Sequence, residues 1–89
     1  MAQSDLQMRV PPPANLLAFT DAVRVRPKTP GKRGGGMRKR WKLPDGRILE
    51  WDSLHGRLEV YDSKGRHLGE WDHVTGRQIT GPTHAKIEP

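Results

Sequence analysis

Four glycine-containing turns spaced along the second half of the chain constrain its fold more than any other feature. They are "PDG" (44–46), "HG" (55–56), "SKG" (63–65) and "VTG" (74–76). Each glycine is followed by an arginine: Arg47, Arg57, Arg66 and Arg77. An aspartate begins or precedes each turn: Asp45, Asp52, Asp62 and Asp72, the last three ten residues apart. Between the turns lie "RKRWKL", "RILEWD", "RLEVYD", "RHLGEW" and "RQIT", each four to six residues long and rich in β-formers. Short strands at even spacing joined by glycine turns predict a twisted antiparallel meander of four to five strands. Turn chemistry accounts for the repeated "D…GR" by itself, and the period is too short for a solenoid.

Eighty-nine residues allow one small domain. A chain of this length buries only about 60–65% of its unfolded surface, so the core must be thin. Only 33% of residues are hydrophobic, and Trp41, Trp51 and Trp71 must supply much of that core. There is no cysteine, which excludes disulfide staples and thiolate metal sites. Residues 1–15 end in Pro11-Pro12-Pro13 and read as a flexible arm or linker before a single domain over 16–89. "NLLAFTDAVRV" (15–25) predicts one short helix with Asn15 as N-cap and Leu16, Leu17, Phe19 and Val23 as its apolar face. The expected class is therefore α+β, mostly β. A basic Gly/Pro-rich segment spans 24–42, the sheet 37–80 and a short tail 81–89. Gly34-Gly35-Gly36 would let the backbone approach a phosphate closely. No apolar run approaches the ~20 residues of a membrane span, and the N-terminus has no signal-peptide h-region. The chain is thus expected to be cytosolic or a fragment delivered by something else.

The charge of +6 is unevenly placed. Residues 1–46 hold ten Lys/Arg and three acids; residues 47–89 hold six Lys/Arg and seven acids. From Arg24 to Lys42 there are nine basic residues and no acid. A basic block feeding an acid-containing domain points to an anionic polymer as partner; its bland counterpart is a solvated basic tail.

The densest stretch is "EWDSLHGRLEVY" (50–61). Alternation along strands 48–52 and 57–61 places Leu49, Trp51, Leu58 and Val60 on one face. It places Glu50, Asp52, Arg57, Glu59 and Tyr61 on the other, with His55 at the rim. Neither a two-residue turn at 55–56 nor a four-residue turn at 53–56 disturbs this division. Crowded acids raise one another's pKa, which prepares one of them to act as a general base. A solvated face with an Arg–carboxylate pair is the plainer alternative. His55, Asp52 and Glu59 have the donor types for a divalent ion, but no metal-binding spacing is present and no metal or other cofactor is expected. If the polymer is RNA none is needed, because the 2′-OH can attack its own phosphate given a base, an acid and a cation.

"PKTP" (27–30), "GGG" followed by "RKRW" (34–41), "EWDS-HG-LE" (50–59), "HLG" (67–69), "TG" (75–76) and "GP" (81–82) occur in this order. Together, from about Leu17 to Lys86, they resemble the cytotoxic ribonuclease domain of the ribosome-inactivating colicins and cloacin. The resemblance implies a metal-independent endoribonuclease that cuts 16S rRNA at the decoding site of the 30S subunit. It implies a toxin domain carried by a larger secreted bacteriocin into the cytoplasm of a target bacterium, without stable membrane insertion. It also implies a cognate immunity protein, acidic if it complements this basic chain. A monomer is expected for the isolated domain.

By the same resemblance Glu59 is the base for the 2′-OH, His55 the acid for the leaving 5′-oxygen, and Asp52 orients or polarises His55. The family's catalytic arginine falls on Lys86, which can neutralise phosphate charge but lacks the bidentate fork; Arg57, Arg47 or His84 could share that work. Arg38, Lys39, Arg40, Lys42, Arg57 and Tyr61 are the expected RNA contacts, with Lys39 sent by alternation to the opposite side from Arg38 and Arg40. His67 is expected to be structural, His73 solvent-exposed, and Trp51 and Trp71 part of the core. Two other functions stay open: a non-catalytic RNA- or ribosome-binding β-module, and a ribonuclease of the same fold acting on tRNA.

Overall fold

A computed structural model describes residues 9–32 and 36–89. Six strands follow one another: β1 (Val23–Val25), β2 (Arg40–Lys42), β3 (Ile48–Asp52), β4 (Arg57–Tyr61), β5 (His67–Trp71) and β6 (Gln78–Thr80). They form one sheet in sequence order, each antiparallel to the next. Strands β2 to β6 occupy the five segments between the glycine turns.

The expected N-terminal helix is replaced by turns and a strand. Phe19 N–H donates to Leu16 O (3.1 Å) and Ala22 N–H to Phe19 O (3.0 Å), two successive tight turns. These turns lower Leu16 and Phe19 onto the sheet, while Leu17 (68% exposed) and Val23 (64% exposed) face outward. A helix of this length is marginal without a partner for its apolar side. Here β-branched Val23 and Val25 add β1 to the open edge of β2, pairing Val23 with Lys42 and Val25 with Arg40. The sixth strand and the missing helix have this one cause.

The central hairpin has the alternation expected of it. Leu49 pairs with Val60 and Trp51 with Leu58. All four are buried in a core with Leu16, Trp41 and Leu43, against which Phe19, Ala22, Leu68 and Trp71 pack. The Trp51 indole N–H donates to Val10 O (2.8 Å), and Val10 N–H donates to Ser53 O (2.7 Å). These bonds pin the proline arm to the hairpin at Val10. His73 is half-buried rather than solvated, because its ring meets the edge of Trp51 at 5.0 Å.

The opposite face is polar, buried at Arg40 and Glu50 and opening toward β6. Arg40, Glu50, Glu59, Glu70 and Thr80 stand in register across β2 to β6 as one transverse row. Glu50 is fully buried: its Oε2 accepts from Thr29 Oγ1 (2.6 Å) and from Arg40, whose Nη2 lies 2.7 Å away. Thr29, bonded to both members of this ion pair, holds the basic 24–32 segment over the sheet. On the other side the tail pairs with the start of β5, with His67 N–H donating to Ala85 O and Ile87 N–H to Gly65 O. Gly65 (φ +83°) is required there, since a Cβ would collide with the Ile87 carbonyl. Lys28 Nζ joins the two covers by donating to Pro89 O (2.7 Å).

Candidate active site

The two covers leave a cleft of about 420 Å³ over the polar row, lined among others by Arg38, Glu59, Tyr61, His67, Glu70 and Lys86. Of two carboxylate–histidine pairs on this face, Glu59–His67 lines the cleft, whereas Asp52–His55 lies outside its lining and meets it through Glu70, within 4.8 Å; their local structure differs.

The first pair grows out of a turn. Asp52 ends β3 and its Oδ1 accepts the Leu54 N–H (2.9 Å), while Gly56 N–H donates to Asp52 O (2.8 Å). Gly56 takes φ +67° to close the four-residue turn 53–56. The same side-chain-to-backbone turn recurs at Asp45, Asp62 and Asp72, which accept from Arg47, from Lys64 and Arg66, and from Val74 and Thr75. The repeated aspartates are therefore turn devices. Asp52 alone of the four is buried, and where Asp45 and Asp62 give their second oxygen to the arginine of their own turn, its Oδ2 lies 2.7 Å from His55 Nδ1. Burial pushes the Asp52 carboxyl up, but His55, the Leu54 amide and Arg38 (4.0 Å from Oδ1) outweigh it. The group is held below its ordinary value and stays a carboxylate. His55 is 61% exposed and bound through Nδ1, which leaves Nε2 for a ligand.

The second pair depends on a β-bulge. Strand β4 meets β5 with Val60 opposite Gly69 but Tyr61 opposite His67, so one residue of β5 is extra. Simple alternation from Glu70 would send Leu68 to the polar face and His67 to the core. The bulge exchanges them: Leu68 packs on the core and His67 turns to the acids. Gly69 (φ +136°) permits this, because a Cβ there would strike the Thr80 carbonyl. His67 Nδ1 accepts from the Thr83 N–H (3.0 Å), so the ring hydrogen of this tautomer sits on Nε2, which is 2.7 Å from Glu59 Oε1. His67 thus donates to Glu59 from a ring that is 5% exposed. Burial nevertheless pushes the Glu59 carboxyl above its ordinary value; His67 opposes this and the Glu70 charge reinforces it.

Tyr61 packs beside His67 with ring centroids 5.2 Å apart. Its phenol is pushed up to about 12 by burial and by the Glu59 and Glu50 charges, so it remains a donor. Lys86 bridges to Arg66 and lines the cleft with Glu59. Arg38 also lines it, and Arg57 stands nearby, bound to Glu70 (3.3 Å). Arg40 is corrected as an RNA contact: it is 2% exposed and committed to Glu50 and Thr29. Lys39 and Lys42 lie outside the cleft lining. Gly34 and Gly35 of the glycine triplet lie outside the described residues, as do residues 1–8.

Glu70 and Thr83 were missed by sequence reasoning. The signal for Glu70 was its place in "HLGEW", in cross-strand reach of Glu59; the bulge that puts it there leaves only the weak trace of an in-strand glycine. Asp52, His55 and Glu70 bring ligand atoms within 4.8 Å of one another, a spacing that suits a divalent ion. Arg38 and Arg57, however, already supply positive charge to Asp52 and Glu70. Among the described residues, no helix is long and apolar enough to cross a membrane.

Residues 10–88 match the family model described as Cytotoxic. The chain is 50% identical over 74 residues to colicin E3 of Escherichia coli, covering 81% of this chain and 13% of that protein. It is 54% identical over 59 residues to colicin-E6 of the same organism, covering 64% of this chain and 11% of that protein. To cloacin, also from Escherichia coli, it is 54% identical over 59 residues, covering 64% of this chain and 10% of that protein. The chain therefore spans a small fraction of the length of the curated relatives it matches.

Proposed function

This chain belongs to the Cytotoxic family that matches residues 10–88, and from that premise we propose that it is the ribonuclease domain of a bacterial toxin, cutting 16S rRNA at the decoding site. The observation that carries the reading is the opposite tuning of two carboxylates on one face: Glu59, raised, lines a cation-rimmed cleft, and Asp52, lowered, lies outside that lining but within 4.8 Å of its Glu70. Environments that push two titratable groups apart mark a base and its counterpart. Glu59 takes the 2′-OH proton and the 2′-oxygen attacks the adjacent phosphorus. His55, as imidazolium, gives its Nε2 proton to the departing 5′-oxygen, and Asp52 holds His55 through Nδ1. The P–O5′ bond breaks, leaving a 2′,3′-cyclic phosphate and a 5′-hydroxyl. Lys86 and Arg38 face the phosphate charge from the cleft wall; Tyr61 lines that wall but is 4% exposed, too buried to offer its ring to a nucleotide, which corrects its expected place among the RNA contacts.

The partners are the small ribosomal subunit and, in a producing cell, an acidic immunity protein complementary to a chain of charge +6. The parent toxin would carry the domain into the cytoplasm of a target bacterium. Intact ribosomes incubated with the protein, then read by primer extension, should give one short fragment from the 3′ end of 16S rRNA. Intact rRNA under excess protein would overturn the reading and favour a binding module. Preferential cutting of naked tRNA would move the substrate instead.

A further inference from the structure

We propose that Glu70 is a positioning residue for the general base: it stands in register beside Glu59 and holds Arg57 as the shared counter-charge of the two carboxylates. The proposal rests on the reading of Glu59 as the base.

Glu59 and Glu70 are direct cross-strand partners, each with 14% of its side chain exposed. Like charges placed opposite one another destabilise a sheet, so this pairing needs compensation. It comes from β4 and β6: Arg57 Nη1 lies 3.3 Å from Glu70 Oε1, and Thr80 Oγ1 donates to the same oxygen (3.1 Å). Arg57 departs here from Arg47 and Arg66, which fold back on their own turn aspartates at 2.9 and 2.7 Å. Its equivalent turn partner, Asp52, is occupied by His55, and Arg57 reaches across the sheet to Glu70 instead. Glu70 also lies within 4.8 Å, donor atom to donor atom, of Asp52 and His55. It therefore connects the half of the site that receives the 2′-OH proton to the half that returns one to the 5′-oxygen.

This arrangement gives each partner a separate effect. With Arg57 in place, Glu70 bears on Glu59 as a partly neutralised charge. Without Arg57 it bears as a full one. The other charged groups on this face are Glu50 with Arg40, Asp52 with Arg38 and His55, and Tyr61, His67, Lys32 and Lys86 around the cleft. Changing Glu70 or Arg57 leaves all of these in place.

The test is the pH titration of the Glu59 carboxyl by carbon-13 NMR in the folded protein, run on Glu70→Gln, Arg57→Gln and Arg57→Lys. Glu70→Gln keeps the acceptor for Arg57 and Thr80 and should lower the Glu59 midpoint by about one pH unit. Arg57→Gln should raise it, and Arg57→Lys should restore it toward wild type. The acidic limb of the cleavage rate should move in the same directions, about tenfold in rate per unit at fixed pH below the midpoint. Midpoints that stay put, or move the same way in Glu70→Gln and Arg57→Gln while circular dichroism shows both folded, would reduce Glu70 to a sheet clamp. The titration needs no substrate. Absence of cleavage by the wild type would therefore overturn the nuclease reading, while the midpoints still decide whether Glu70 and Arg57 act on Glu59.

Discussion

Asp52–His55 and Glu59–His67 are separated by the same 2.7 Å, yet one carboxyl is held below its ordinary value and the other above. At Asp52 a backbone amide and Arg38 reward the charge, and His55 reaches out to solvent. At Glu59 the histidine is buried, and the nearest added charge is another carboxylate. The contact distance does not decide which carboxylate works as a base; the surrounding donors and charges do.

The strongest way to break this contrast is Glu59→Gln, which keeps the acceptor for His67 and removes only the proton acceptor. Cleavage of 16S rRNA should fall by about 10²–10⁴-fold, while sedimentation with ribosomes shows binding retained. Equal loss of both would make Glu59 structural.

The histidines should separate next. His67→Ala strips Glu59 of a donor and leaves the Thr83 amide without its acceptor, so it should cost about 1–3 kcal/mol of stability as well as activity. His55→Ala, at an exposed ring, should lower the cleavage rate and leave the melting temperature nearly unchanged. Thermal unfolding followed beside the cleavage assay checks both. If His55→Ala proved the more destabilising, the division between a buried positioning histidine and an exposed working one would fail.

Much of this was legible in the sequence. Glycine turns and β-forming segments located β2 to β6, and period-two alternation divided the hairpin into Leu49, Trp51, Leu58 and Val60 against Glu50, Asp52, Arg57, Glu59 and Tyr61. Alternation is local, and so it could be read. The features that escaped it are long-range. The bulge that turns His67 toward Glu59 exists only once β4 and β5 pair. The burial of Arg40 and Glu50 depends on Thr29 closing over them, so a basic residue counted toward RNA became a buried ion pair. The helix expected at 15–25 failed because the unpaired edge of β2 offered Val23–Val25 a better partner than its own turns. The roles of Asp52, His55, Glu59 and Lys86 come from family resemblance; the residues alone favour a solvated hairpin.

The opposite tuning should also appear as opposite pH-dependence of stability. Asp52, with its pKa depressed on folding, contributes stability that is present above its unfolded value near 3.9 and lost as pH falls through the folded one. Glu59, raised on folding, does the reverse: stability falls as pH rises from its unfolded value near 4.3 through the folded one. Asp52→Asn should therefore destabilise at pH 7 and much less at pH 3, whereas Glu59→Gln should gain relative stability at pH 7. Each difference should be on the order of 1 kcal/mol in urea unfolding. Parallel curves for the two variants would show that the carboxylates share one environment.

The smallest expected effect lies at Lys86, which lines the cleft and is proposed to face the phosphate. Its backbone is fixed by the bridge to Arg66, and the flanking bonds, Ala85 O to His67 N–H and Ile87 N–H to Gly65 O, hold it beside the cleft. Lys86→Arg keeps that anchoring and the charge, and exchanges a point ammonium for a fork that can bind two phosphate oxygens. The cleavage rate should rise a few-fold, short of the about 10–10²-fold that one full charged hydrogen bond would carry. Lys86→Ala should lower it. The Glu59 midpoint should hold in Lys86→Arg, because charge and backbone are unchanged. A rate gain with a fixed midpoint would assign Lys86 to the phosphate. A shifted midpoint would place it instead among the charges that set the base.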